Sequence, residues 1–146
     1  MEAIRIGGNE LSCDPAATRS AYRSFTSDLC DCAACRNYRL ARDQVFSGAA
    51  LKFLDQFGID PHKAAETYDL GPAPANPKLI LYGGWFHFIG QIVKCGDRVS
   101  LGENLVIWFS PGIALAPPSF AGLHLVQLEL EALLPWLLPE AWGSHK

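Results

Sequence analysis

Lys78-Leu79-Ile80-Leu81-Tyr82-Gly83-Gly84-Trp85-Phe86-His87-Phe88-Ile89-Gly90-Gln91-Ile92-Val93 is a long run of aromatic and β-branched residues. Side chains of these types fit the pleated, half-buried surface of a sheet. Turns flank the run on both sides, at residues 71–77 with Pro72, Pro74 and Pro77, and around Cys95-Gly96-Asp97. Gly83-Gly84 interrupts it. With turns already at both ends, a bulge in one bent strand explains these glycines better than a two-residue hairpin turn.

Working outward, the C-terminal half reads as further sheet. Leu105 to Phe109 is a fully apolar strand, and Ser110 to Gly122, with Pro111, Pro117 and Pro118, is a long loop. His124 to Glu131 alternates, placing His124, Val126, Leu128 and Leu130 on the apolar face. Leu133 to Trp142 is apolar but broken by Pro135 and Pro139, and reads as an irregular cover. On the N-terminal side Ala65 to Leu70 is a strand. Before it lies helix. Ser47 is placed as an N-cap with Phe46 and Leu51 as a hydrophobic staple. Leu51, Phe53, Leu54 and Phe57 then form a buried stripe that Gly58 ends. Asp60-Pro61 can start one more turn. Ala34 to Arg42 is a second helix, Ser20 to Ser27 reads as a strand through Tyr22 and Phe25, and residues 2–13 form a hairpin turning at Gly7-Gly8-Asn9. One helical pair followed by strands without intervening helices predicts α+β: a mainly antiparallel sheet of five or six strands, with two helices following an N-terminal strand segment.

The chain has 146 residues, fitting a single domain over 1–146. It is 49% hydrophobic and 18% charged, the balance of a globular chain. A net charge of −3 predicts no nucleic acid partner. Met1-Glu2-Ala3-Ile4-Arg5 lacks the pattern of a signal peptide, and no apolar stretch reaches the roughly 20 residues of a membrane span, so no membrane partner and a cytoplasmic location are expected. Five cysteines in a chain large enough to fold without staples point to metal or thiol chemistry more than to a disulfide framework.

Three of them stand in Cys30-Asp31-Cys32-Ala33-Ala34-Cys35. Zinc holds thiolates at about 2.3 Å, so tetrahedral ligands bring sulfurs within roughly 3.8 Å of one another. A C-x-C pair in extended chain shares a face and a C-x-x-C pair closes through a tight turn, so Cys30, Cys32 and Cys35 can converge on one ion as the chain enters a helix. Zinc is the expected cofactor. Four protein ligands would make the site structural, and three plus water is the pattern of catalytic zinc. Cys13, Cys95, His62, His87 and His124 are the candidates for a fourth ligand, and His87 and His124 also for an acid–base group. Two other readings stand beside this one: thiol–disulfide exchange by Cys32 and Cys35, and a non-catalytic binding or structural protein with three buried, reduced cysteines packed as small hydrophobes.

Cys30-Asp31-Cys32-Ala33-Ala34-Cys35-Arg36 resembles the C-x-C-x-x-C-R segment of the glutathione-dependent formaldehyde-activating enzyme family, which is mostly β and binds zinc. The resemblance implies metal binding at Cys30, Cys32 and Cys35. It departs from that family in having Asp31 where His is common and a lone Cys13 in place of the family's earlier C-x-C-G element, so the family's activity is not carried over. The longer string through Asn37-Tyr38, with Phe57-Gly58-Ile59-Asp60 and Gly84-Trp85-Phe86-His87-Phe88, is similar to small uncharacterised bacterial proteins.

Arg36 and Arg39, three apart on a helix, can hold a small anionic ligand bidentately or pair with local acids. Trp136 and Trp142 in the apolar tail suggest a homodimer surface. His62 and His145 are expected to face solvent. No phosphate loop, G-x-S-x-G elbow or H-E-x-x-H pair is present.

Overall fold

The computed structural model describes residues 1–26 and 30–144. In chain order the elements are β1 (Glu2–Ile6), β2 (Asn9–Cys13), α1 (Pro15–Arg23), α2 (Ala33–Ala41), α3 (Ala49–Phe57), β3 (Glu66–Pro72), β4 (Leu79–Lys94), β5 (Val99–Ser100), β6 (Leu105–Ser110) and β7 (Leu125–Pro135). The fold is α+β. Every strand pairing is antiparallel, in the order β1-β2-β4-β7-β6-β5, with β3 also on β4. Among the described residues no helix is long and apolar enough to cross a membrane.

β4 is the axis of the sheet. One edge pairs with β7 without interruption from Leu79↔Pro135 to Ile89↔Leu125. The expected bulge at Gly83-Gly84 is therefore absent; the register shifts instead within β3, between Asp69 and Gly71. The glycines answer a steric demand from β3. A Cβ on Gly83 would stand 2.5 Å from Tyr68 Cζ, and one on Gly84 2.5 Å from the Glu66 carbonyl oxygen. The Tyr68 ring lies over bare backbone, an aromatic covering a cross-strand glycine. Alternate β4 side chains, Ile80, Tyr82, Phe86 and Phe88, are 3% exposed or less and join Phe57, Leu54, Leu128 and Leu130 in one core.

The other edge of β4 is shared. β3 pairs with Ile80 to Trp85 and β2 with Gly90 to Lys94, leaving His87 and Ile89 between them. Buried backbone groups left there without partners would each cost about 1–3 kcal/mol. Helix α1 supplies the partners. The Tyr22 hydroxyl donates to His87 O at 2.7 Å and accepts from His87 N at 3.2 Å. Thr18 Oγ1 accepts from Ile89 N at 3.0 Å, and Asp14 N donates to Ile89 O at 2.9 Å.

This helix replaces the strand expected over Ser20 to Ser27; Ser27 itself lies outside the described residues. Its start signal is Asp14-Pro15: the Asp14 carboxylate accepts from Ala17 N at 3.0 Å, and Pro15 occupies the first turn, where a missing N–H costs nothing. Among the described residues three α-helices and seven strands thus stand where two helices and five or six strands were expected, the two-residue β5 accounting for part of the difference.

The hairpin of β1 and β2, the helix at residues 33–41 and the strand at residues 66–72 fall where expected. In α3, Phe53, Leu54 and Phe57 are buried and Gly58 ends the helix at φ 78°, but Leu51 is 42% exposed and the N-cap is Gly48, with no side-chain cap from Ser47. Asp60-Pro61 makes a turn in which the Asp60 carboxylate accepts from His62 N at 2.9 Å. β7 runs on to Pro135, so the irregular cover begins only at Trp136. Both tail tryptophans are held by their own chain, Trp136 Nε1 donating to Glu140 O at 2.6 Å and Trp142 Nε1 to Asp69 Oδ2 at 2.8 Å.

Tyr22→Phe leaves the His87 amide and carbonyl unpaired in a buried setting. It is expected to destabilise the protein by about 1–3 kcal/mol, read as a lower urea midpoint with an unchanged slope.

Candidate metal centre

The segment from Cys30 to Cys35 is the entry to α2. Cys32 is the N-cap, with extended backbone (φ −68°, ψ 163°), and its sulfur accepts from Cys35 N at 3.5 Å. That geometry turns the next residues into the helix and brings Cys35 back over Cys32. Cys30 Sγ stands 3.0 Å from Cys32 Sγ and 3.2 Å from Cys35 Sγ, and all three sulfurs lie within 4.8 Å of one another. Rotations of the side chains would bring this triangle to the roughly 3.8 Å edge of a tetrahedral thiolate site. No disulfide joins them.

Two sets of contacts hold the cluster in place. The Tyr82 hydroxyl donates to Ala34 O at 2.8 Å, and buried Asn37 donates to Pro135 O at 3.1 Å while its side-chain oxygen accepts from Leu137 N at 2.6 Å, so α2 is tied to β4 and to the end of β7. Arg39 donates to Cys30 O and to the Asp31 carboxylate, each at 3.2 Å. Arg36 donates to Asp31 O and to Glu140 Oε1, also at 3.2 Å. Both guanidiniums thus clamp the backbone that carries the thiols.

The sulfurs open onto a cleft of about 600 Å³. One wall is the cluster with Ala34, the second is β3 and its approach from Ala65 to Asp69, and the third is Leu115 to Pro118, with Phe25 alongside. Cys30 and Cys32 are exposed and Cys35 is buried. Hydrogen bonds from Cys32 lower the Cys30 thiol below its ordinary range, though the nearby Glu66 charge opposes this. Burial pushes Cys35 up to about 12. Cys30 is thus a readier thiolate than Cys35.

Among the described residues no further His, Cys, Asp or Glu joins the cluster. His87 is 1% exposed on β4, with Nε2 3.2 Å from Gln127 Oε1 and its ring 6.5 Å from that of Phe120. His124 is exposed before β7 begins, off the apolar face expected for it, and its Nδ1 donates to Gly90 O at 2.7 Å. Neither lines the cleft. Cys13 is buried in the core, Cys95 is exposed, and His62 Nε2 lies 2.8 Å from the Asp43 carboxylate. His145 lies outside the described residues.

Glu66, Thr67, Tyr68 and the Leu115–Pro118 segment were not singled out from the sequence. Ala65 to Leu70 was expected as a strand, and the signal for its close approach to β4 was Gly83-Gly84, whose missing side chains make room for Tyr68 and the Glu66 carbonyl. No family model, no curated protein and no solved structure matches the chain.

Burial lowers the pKa of His87, so the folded protein resists protonation there while the unfolded chain does not. The stabilisation is complete above the unfolded value of about 6.5 and is lost as the pH falls. NMR titration is expected to place the His87 midpoint below that of a free imidazole, and denaturation midpoints to decline as the pH falls below about 6.5.

Proposed function

We propose that the protein is a metal-thiolate protein of a reducing, cytoplasmic setting that holds zinc through Cys30, Cys32 and Cys35. The observation that carries this reading is the convergence of three sulfurs within 4.8 Å at the mouth of a cleft. Such a donor set, three sulfurs that a metal would hold as soft thiolates, suits zinc above the hard cations. Bound there, zinc would offer an exchangeable fourth position to whatever enters the cleft. The chain's own part is to fix three thiolates in one place: Cys32 by capping α2, Cys35 by its burial in the first turn, and Cys30 through the Arg39 contact to its carbonyl.

Protein purified without chelators is expected to carry about one equivalent of zinc by elemental analysis, and Cys32→Ser to abolish stoichiometric retention. In a cobalt-substituted sample, added 2-mercaptoethanol should shift the thiolate charge-transfer bands. Metal-free protein together with unchanged stability of Cys32→Ser would overturn the reading. A saturated spectrum that ignores added thiol would make the metal structural.

One observation favours a second, redox reading, in which Cys32 and Cys35 are joined by Cys30: an exposed, acidified Cys30 sulfur lies within 3.2 Å of both other sulfurs. Its thiolate would attack glutathione disulfide, releasing one glutathione thiolate, and a neighbouring cysteine would then displace the second. The chain would lose two electrons and two protons to the glutathione. Intact-mass measurement in a glutathione redox buffer is expected to show a loss of about 2 Da that dithiothreitol reverses; an unchanged mass across the buffer range excludes it.

A further inference from the structure

We propose that the cleft beside the thiols is a binding site for a small organic cation: a primary ammonium group carried on a flat apolar body. The inference stands on the cleft walls and on Glu66, and so goes beyond the metal reading without depending on it.

Charge gives the first argument. Among the described residues lining the cleft, the ionisable side chains are the carboxylic acids Glu66 and Asp69, the thiols of Cys30, Cys32 and Cys35 and the phenol of Tyr68. No Lys, Arg or His is among these described lining residues, and Arg36 and Arg39 are turned onto the backbone of the thiol segment. Glu66 is half-buried and forms no salt bridge among the described residues; one carboxylate oxygen accepts from Thr67 N at 2.9 Å, fixing the side chain beside its own strand. A carboxylate in such a position repels anions and favours a cation, with less solvent screening than on an open surface.

The second argument is independent of charge. Thr67 lines the same cleft, is 3% exposed, and its hydroxyl oxygen has no hydrogen-bond partner among the described residues. Orphaned buried polar atoms are uncommon in folded proteins and call for an explanation. An N–H donor in the cleft would give this oxygen its partner. A primary ammonium has several such donors, so it can serve Glu66 and Thr67 together.

The rest of the lining is apolar or aromatic. Phe25, Ala34, Ala65, Leu115, Ala116 and the two prolines are spread over the three walls, and Tyr68, on the β3 wall, has its ring braced edge-on against Trp85 at 6.3 Å. Leu115 remains 62% exposed at the lip. Aromatic walls attract cations through the ring face and cover the flat body of a ligand. A volume of about 600 Å³ suits a small molecule of this kind.

The test uses the full chain, both metal-loaded and chelator-treated, with metal content measured in parallel. Benzylamine is the probe, benzoate its anionic counterpart and benzyl alcohol its neutral one. Titration followed by two-dimensional NMR should show saturable shifts with benzylamine, concentrated at residues 65–69 and 115–118. Benzyl alcohol should bind more weakly and benzoate most weakly. Glu66→Gln, on a half-exposed site, should keep the native spectrum and weaken benzylamine binding roughly fivefold, the effect of losing about 1 kcal/mol from one partly screened ion pair. Thr67→Val should weaken benzylamine but not benzyltrimethylammonium, which has no N–H to give. Benzoate binding as tightly as benzylamine, shifts centred elsewhere, or a Glu66→Gln variant that binds unchanged would each overturn the proposal. Selective benzylamine binding by a chain that retains no zinc would support it while the metal reading fails; zinc without that selectivity gives the reverse.

Discussion

The fold depends on how one edge of β4 is completed. Two strands that do not meet, β3 and β2, share that edge, and the backbone of His87 and Ile89 falls between them. An unpaired stretch in the middle of the longest strand would leave buried donors and acceptors unsatisfied, a defect on the scale of a small domain's whole stability margin. The chain closes the gap with side chains, Tyr22 and Thr18, from a helix capped by Asp14. Phe25, just past the end of α1, and the thiols at the entry to α2 both line the cleft beside β3.

From that point the site is assembled by polar contacts more than by apolar packing. Tyr82 and Asn37 tie α2 to β4 and to the end of β7, while Arg36 and Arg39 hold the backbone of Cys30 and Asp31. Cations placed against this backbone neutralise part of the charge the thiolates create, and they do so from outside the cleft. Inside, the field is left to Glu66, Asp69 and the sulfurs. One end of a helix thus presents two electrostatic faces, positive behind the cluster and negative in front of it.

What could be read from the sequence follows the range of the forces involved. The strand at residues 79–94, the alternation of β7, the Gly58 stop and the convergence of Cys30, Cys32 and Cys35 are local, and a period or a spacing reveals each. Helix α1 was misread although Asp14-Pro15 announced it, because Tyr22 and Phe25 are strand formers by propensity. Here Tyr22 is needed at a sheet edge but is delivered by a helix. His124 alternates in phase with β7 yet lies one residue outside it, spent on closing the pair with Gly90. Each cleft wall was legible as an element, a strand at residues 65–70 and a proline-rich loop at residues 110–122, but their meeting was not. Residues 65–69 and 115–118 come together beside Trp85 in the middle of β4, which pairs with Glu66 and donates to Ala114 O, and no local pattern records that.

Gly83 shows how closely the sheet and the site are joined. Its Cα carries no side chain because the Tyr68 ring occupies that space, and the same ring forms a wall of the cleft. Any side chain at 83 would evict the aromatic group, and a small residue at 68 would leave the glycine's backbone bare to water. Neither position can drift alone. Across descendants of this chain, the pair at 68 and 83 should behave as a single inherited character, lost or kept together with the cleft it shapes.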